Sequence, residues 1–116
     1  MTLARRAYLL WHASFTHLFR LHERAQSHPR PATFDLVVER GQGVAGSPAT
    51  VVKFLSAQLE ETGCNYMVGQ FAFGDLTLAE SLRSIGLFAS EVMPVLRNQA
   101  VVDGEEMAGV AAQGRG

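Results

Sequence analysis

The sequence predicts an α/β fold that is mostly helical as an isolated chain. Three features predict it: a helix that begins at Ser47-Pro48, one strand at Cys64–Phe73, and a second helix that begins at Thr77. A single strand leaves backbone amides and carbonyls unpaired on both of its edges, which is costly when they are buried. We therefore expect this strand to pair with strands from a longer polypeptide or from another copy of the chain.

Residues 3–24 are predicted to form a strongly apolar helix. Apolar side chains recur at helical spacing and line one face: Ala4, Tyr8, Trp11, Phe15 and Leu18. The proline-containing residues 26–33 are predicted to form a loop. In residues 34–40, alternation weakly favours a strand, whereas Asp35 at the start and Gly41 at the end favour a helical turn, and we interpret the segment as helix.

Local signals predict the ends of the next two helices. Ser47 can accept a hydrogen bond from the first turn of the helix behind it, and Gly63 suits the left-handed residue that ends a helix. Thr77 and Glu80 have the spacing of a capping box. Apolar residues follow at helical spacing: Leu78, Leu82, Ile85, Ala89, Val92 and Leu96. Pro94 is expected to bend or stop this helix.

The predicted strand Cys64–Phe73 is apolar on both sides, a pattern typical of a parallel strand that is covered on both faces. Gln70, Phe71 and Phe73 lie at its C-terminal end, where ligands bind in α/β folds. These three residues are the candidate substrate pocket. The alternative, that the two phenylalanines belong to a hydrophobic core, remains equally open.

Composition limits the possible functions. The chain has 116 residues, a net charge of −1, and basic residues that are scattered rather than clustered, so we expect no nucleic-acid partner and no membrane partner. One cysteine excludes an internal disulfide and suits a cytoplasmic protein. His12, His17 and Arg20 interrupt the apolar N-terminal run, which argues against a signal peptide.

Other motifs give weak signals. The four histidines are not spaced by three or four residues, so we expect no metal site. Cys64 is interpreted as a small buried hydrophobic residue. Gly41–Gly46 matches G-x-G-x-x-G but lacks a clear preceding strand and a later acidic residue, which leaves only an anion site at the helix N-terminus as an interpretation.

Five stretches of the chain, taken in order, resemble the C-terminal end of bacterial luciferase-like flavin-dependent monooxygenases. They are Val44–Val51, Glu61–Tyr66, Phe71–Leu76, Ser81–Ser84 and Phe88–Pro94. The resemblance implies an oxidoreductase that uses reduced FMN, or a deazaflavin in some branches, together with dioxygen to oxidise a small organic substrate.

The same resemblance implies a partial (β/α)8 TIM barrel, namely the final βα unit and the preceding helix. Residues 1–98 would be a C-terminal fragment of the barrel domain, with Gln70, Phe71 and Phe73 near the barrel mouth, and residues 99–116 a flexible tail. In that family most flavin contacts and catalytic groups come from earlier strands, so no catalytic or cofactor-binding residue is assigned.

Three hypotheses follow from the sequence. The first is a flavin-dependent monooxygenase that is incomplete and inactive alone. The second is a small, non-catalytic helical module that self-associates, giving a homo-oligomer. The third is a free-standing helical domain in which Cys64–Phe73 is a buried connector.

Overall fold

A computed structural model describes residues 1–100 as a set of helices joined by irregular segments. The elements are α1 (Thr2–Leu21), α2 (Phe34–Glu39), α3 (Pro48–Thr62), α4 (Leu78–Leu87) and a π-helical segment (Phe88–Val92). Residues 93–100 continue this last helix with α geometry. Within residues 1–100 there is no β-strand.

The predicted strand Cys64–Phe73 is therefore wrong, and so is the partial TIM barrel that depended on it. The segment runs from α3 to α4 without regular structure, and every residue from 61 to 70 is exposed. A strand is defined by hydrogen bonds to a neighbouring strand, and the described part of the chain provides no such neighbour. High β-propensity alone cannot replace that neighbour, because the preference reflects packing on a half-buried sheet surface.

The structure shortens the predicted first helix at its C-terminal end. α1 ends at Leu21, and Glu23 adopts a left-handed conformation with φ of 50°. The Arg24 amide donates to the Phe19 carbonyl at 2.9 Å, and the Glu23 amide donates to the Arg20 carbonyl at 3.2 Å. These two bonds form a Schellman-type end in which Glu23 occupies the position that glycine favours.

The predicted start and end of α3 and the predicted start of α4 are confirmed. α2 forms as interpreted, with the Thr33 hydroxyl accepting from the Leu36 amide at 3.3 Å. Ser47 caps α3, which ends at Gly63 with φ of 65°. Thr77 and Glu80 form both halves of the predicted capping box. Each of these signals acts within a few residues, so it requires no distant partner.

Pro94 does not end the last helix. A proline has no amide hydrogen and its ring crowds the carbonyl four residues earlier, which disrupts a regular α-helix. Here the backbone widens just before the proline, and the Met93 amide donates to the Phe88 carbonyl, five residues back. The π-helical segment thus precedes the proline, and helical geometry resumes in residues 93–100.

The best-packed region is the N-terminal cluster, which consists of α1, α2 and the turn at residues 73–77. Its buried residues are Ala4, Tyr8, Phe34 and Val37, with Trp11 and Phe73 packed against them. The Tyr8 hydroxyl donates to the Pro31 carbonyl at 2.7 Å, which attaches the loop before α2 to α1.

A second region, the C-terminal pair, consists of α3 and the helix over residues 78–100. Val92 is its most buried residue at 2% exposure, while α3 has no fully buried residue. The Ser56 hydroxyl donates to the Gln99 side-chain oxygen at 2.7 Å and links the two helices.

Much of the predicted apolar face of α4 is uncovered. Leu78, Leu82 and Ile85 are 76%, 57% and 45% exposed, and several apolar residues of α1 are exposed as well. The radius of gyration is 18.4 Å, whereas a compact domain of this length has about 13 Å. The described part of the chain is extended, with open apolar surfaces.

Among residues 1–100, no helix is both long and apolar enough to cross a membrane.

Candidate functional site

The structure packs Phe71 and Phe73 against two different parts of the chain. Phe73 stacks on Phe34, with ring centroids 6.5 Å apart and planes at 12°. Phe71 meets Phe88 edge to face, with centroids 5.0 Å apart. Gln70 is exposed, and its side-chain amide lies 3.4 Å from the carbonyl of Ala72. Both aromatic rings therefore pack against other parts of the chain.

Gly74 makes a close backbone contact between the turn at 73–77 and α1. Its φ is 59°, and a Cβ placed on it would collide with the backbone carbonyl of Ala7. Ala7 itself is completely buried. Only glycine combines this backbone angle with such a close approach.

Arg6 connects α1 to the start of α4. Its guanidinium lies 3.0 Å from the Asp75 carboxylate and 3.4 Å from the Glu80 carboxylate. The pKa of Arg6 is raised, chiefly by the hydrogen bond to Asp75. The pKa of Glu80 is lowered, first by the hydrogen bond that its carboxylate accepts from the Thr77 backbone. Glu80 thus serves the helix cap and the ion pair together.

A shallow groove of about 480 Å³ lies beside the C-terminal half of α1; we call it the basic groove. Its lining residues are His12, Thr16, Phe19, Arg20, Glu23, Arg24, Ala25 and Gln26. Thr16 is 8% exposed, and its hydroxyl donates to the His12 carbonyl at 2.8 Å. Arg20 donates to the Thr16 oxygen at 3.2 Å, which positions its guanidinium without neutralising it.

Aromatic rings form a ladder along α1 that reaches the basic groove. Trp11 stacks on Phe15 at 5.0 Å between centroids, and Phe15 contacts Phe19 at 5.8 Å. The Arg30 guanidinium lies 5.9 Å from the Phe15 ring centroid, a cation–π arrangement. The His12 ring nitrogen Nε2 lies 3.3 Å from the Arg30 carbonyl oxygen, which brings the loop against α1.

The arginines were interpreted as scattered along the sequence, so the basic groove was not predicted. Residues 1–33 contain five arginines and one acidic residue, whereas the rest of the chain has ten acidic and five basic residues. A comparison of charge by segment would have shown this imbalance. Only the folded structure, however, brings Arg20 of α1 and Arg24 of the turn after it to the same groove as Phe19.

The cysteine, the possible metal ligands and the glycine-rich connector do not form a binding site in the described part of the chain. Cys64 is a free, exposed thiol, so its interpretation as a buried residue is wrong. In the part of the chain that the structure describes, no group of three or more metal-ligating side chains converges. At the glycine-rich connector, the Ser47 hydroxyl accepts from the Thr50 amide at 3.2 Å and caps the start of α3.

The chain is similar to a protein of Sinorhizobium fredii (strain NBRC 101917 / NGR234), described as uncharacterized protein y4wF, with 40% identity over 92 residues. The match covers 79% of this chain but spans only 27% of the relative's length. The relative therefore has about 340 residues. No protein-family model matches the chain. No solved structure matches it either.

Proposed function

We propose that this chain is part of a luciferase-like flavin-dependent monooxygenase, an oxidoreductase that uses reduced FMN and dioxygen, and that it is inactive alone. The ordered stretches within residues 44–94 suggest the family. The observation that carries the proposal of incompleteness is uncovered apolar surface. Tyr66 and Val68 are 81% and 79% exposed, and the apolar face of α4 is open as well.

Such surface is unusual for a self-sufficient monomer. Large contiguous apolar patches on soluble proteins mark interaction sites or missing partners. The length of the Sinorhizobium relative is consistent with this proposal, since the matched segment is about a quarter of a longer polypeptide. The missing part would supply the flavin contacts and would cover Tyr66, Val68 and α4.

The proposal is tested first on the longer relative. We expect purified y4wF to bind FMN, or a deazaflavin in its place, with quenching of flavin fluorescence. A version that lacks the matched 92 residues serves as the control and should lose this binding. A chimera in which this chain replaces the matched segment should retain it. Failure of the intact relative to bind either flavin would contradict the proposal.

The isolated chain gives the complementary measurement. Reduced FMN mixed with the isolated chain should reoxidise in air at its uncatalysed rate. Faster flavin oxidation coupled to oxygenation of a substrate would show that the chain is not inactive alone.

The second candidate is a self-associating helical module. The exposed stripe on α4 favours it, because Leu78, Leu82 and Ile85 lie on one helical face. Light scattering after size-exclusion chromatography should then give a dimer, and Leu82→Gln with Ile85→Gln should give a monomer. Arg83→Gln with Ser84→Gln, on the same helix, is the matched control. A wild-type monomer with cooperative unfolding would eliminate the module.

The same proposal places the protein in the cytoplasm. A single exposed thiol with no disulfide partner in the chain suits a reducing compartment.

A further inference from the structure

We propose that the basic groove beside the C-terminal half of α1 binds a small anion that carries an aromatic ring, such as an aryl phosphate. This inference does not depend on the flavin proposal. It combines the charge of the first 33 residues, the position of two arginines and an aromatic wall.

The positive charge at this end of α1 is not neutralised within residues 1–100. Arg5 pairs with Asp35, and Arg6 pairs with Asp75 and Glu80. The described residues provide no such carboxylate partner for Arg20 or Arg24. Guanidinium groups with free N–H donors bind phosphate and carboxylate through paired, charge-assisted hydrogen bonds.

The groove holds one of these arginines in place. Thr16 lies in its floor, and the Thr16 hydroxyl uses its hydrogen for the His12 carbonyl, so its oxygen accepts from Arg20. This bond occupies one guanidinium N–H and leaves the others available. An anion in the groove would therefore meet a partly preorganised donor, which lowers the entropic cost of binding.

The aromatic side chains beside the groove indicate that the ligand carries an aromatic ring in addition to its anionic group. Phe19 lines the groove and continues the stacked rings of Phe15 and Trp11. An aromatic ring attached to the anion can pack against Phe19 while the anionic group meets the arginines. A bare inorganic anion would contact the arginines but would gain nothing from Phe19.

Glu23 also lines the groove, and its carboxylate opposes an anionic ligand. Removal of this charge should therefore strengthen binding. An alternative role for Arg20 and Arg24 is to stabilise the C-terminal end of α1 through the helix dipole. That role predicts a change in stability but no ligand binding, so the two roles can be separated by experiment.

The test uses phenyl phosphate as the probe, at low ionic strength, with the full chain observed by two-dimensional amide NMR. We expect saturable shifts at residues 16, 19, 20 and 24. Arg20→Gln with Arg24→Gln should weaken the affinity by about tenfold or more, and Glu23→Gln should strengthen it. Arg83→Gln with Arg97→Gln removes the same charge elsewhere and should leave the affinity nearly unchanged.

Several results would overturn the proposal. These are the absence of saturable shifts, equal weakening by the two double variants, or inorganic phosphate binding as tightly as phenyl phosphate. Circular dichroism and the amide signals of residues 48–62 report whether each variant remains folded. If the groove double variant unfolds, the decision rests on Glu23→Gln, where unchanged or weaker binding would contradict the proposed site.

Discussion

The N-terminal cluster and the C-terminal pair have similar apolar side chains but very different packing. The cluster buries Tyr8, Phe34 and Val37 around a close backbone contact, and ion pairs surround it. In the C-terminal pair, Val92 is fully covered while α3 has no fully buried residue. The difference shows that apolar composition does not make a core unless a second surface lies within reach to cover it.

The largest effect is expected from a substitution at the close contact between Gly74 and α1 in the N-terminal cluster. Gly74→Ala adds a Cβ where the Ala7 carbonyl lies and imposes a left-handed angle on alanine. We expect a loss of about 2–4 kcal/mol in the free energy of unfolding, measured with urea. Gly63→Ala is the matched control, because its φ is 65° and nothing lies within 4 Å. That substitution should cost about 1–2 kcal/mol, and equal losses would refute the close approach at Gly74.

The next prediction concerns how much packing in the C-terminal pair contributes to the stability of the protein. Val92→Ala leaves a cavity at the most covered position and should destabilise the protein by about 1–3 kcal/mol. Val68→Ala makes the same chemical change at a side chain that is 79% exposed, and its effect should lie within about 0.5 kcal/mol of zero. Thermal unfolding followed by circular dichroism compares the two variants. Equal destabilisation would mean that Val68 is covered in solution.

Tyr8→Phe tests how firmly the loop before α2 is held. The substitution keeps the ring but removes the donor to the Pro31 carbonyl, a bond of 2.7 Å. We expect a loss of about 1 kcal/mol, together with faster hydrogen exchange in α2. If exchange in α2 stays unchanged, the hydroxyl does not attach the loop to α1.

The smallest effect concerns pH. The pKa values of Asp35 and Glu80 are lowered in the folded chain, Asp35 chiefly by its hydrogen bond from Arg5. A lowered pKa contributes stability above the unfolded value, and this contribution is lost as the pH falls through the folded value. The melting temperature should therefore fall slightly as the pH drops below about 4.5, the ordinary value for Glu80.

Variants identify the groups responsible for this fall. Asp35→Asn should reduce the pH dependence of the melting temperature, whereas Glu61→Gln, on an exposed residue outside these ion pairs, should preserve it. Asp35 is exposed and Glu80 is only partly covered, so solvent screening keeps the effect small. A fall that is equally steep in Asp35→Asn would exclude the Arg5 pair as its cause.

Sequence reasoning succeeded where the physical cause is local. Ser47 and Thr77 start helices through bonds from amides three residues later, and Gly63 ends one through its own backbone angle. It failed for Cys64–Phe73, because the same residues form a strand only beside another strand. The candidate pocket depended on that strand, and its two phenylalanines pack against Phe34 and Phe88 instead.

The amino-acid order by itself determined where α3 and α4 start, where α3 ends, the low net charge and the excess of arginine in residues 1–33. These properties follow from residues close together in the chain or from simple composition. Tertiary structure alone decided that Gly74 meets Ala7, that Arg6 bridges Asp75 and Glu80, and that the face of α4 stays open. Burial requires two surfaces to meet, and which distant surfaces meet is not encoded in any short stretch.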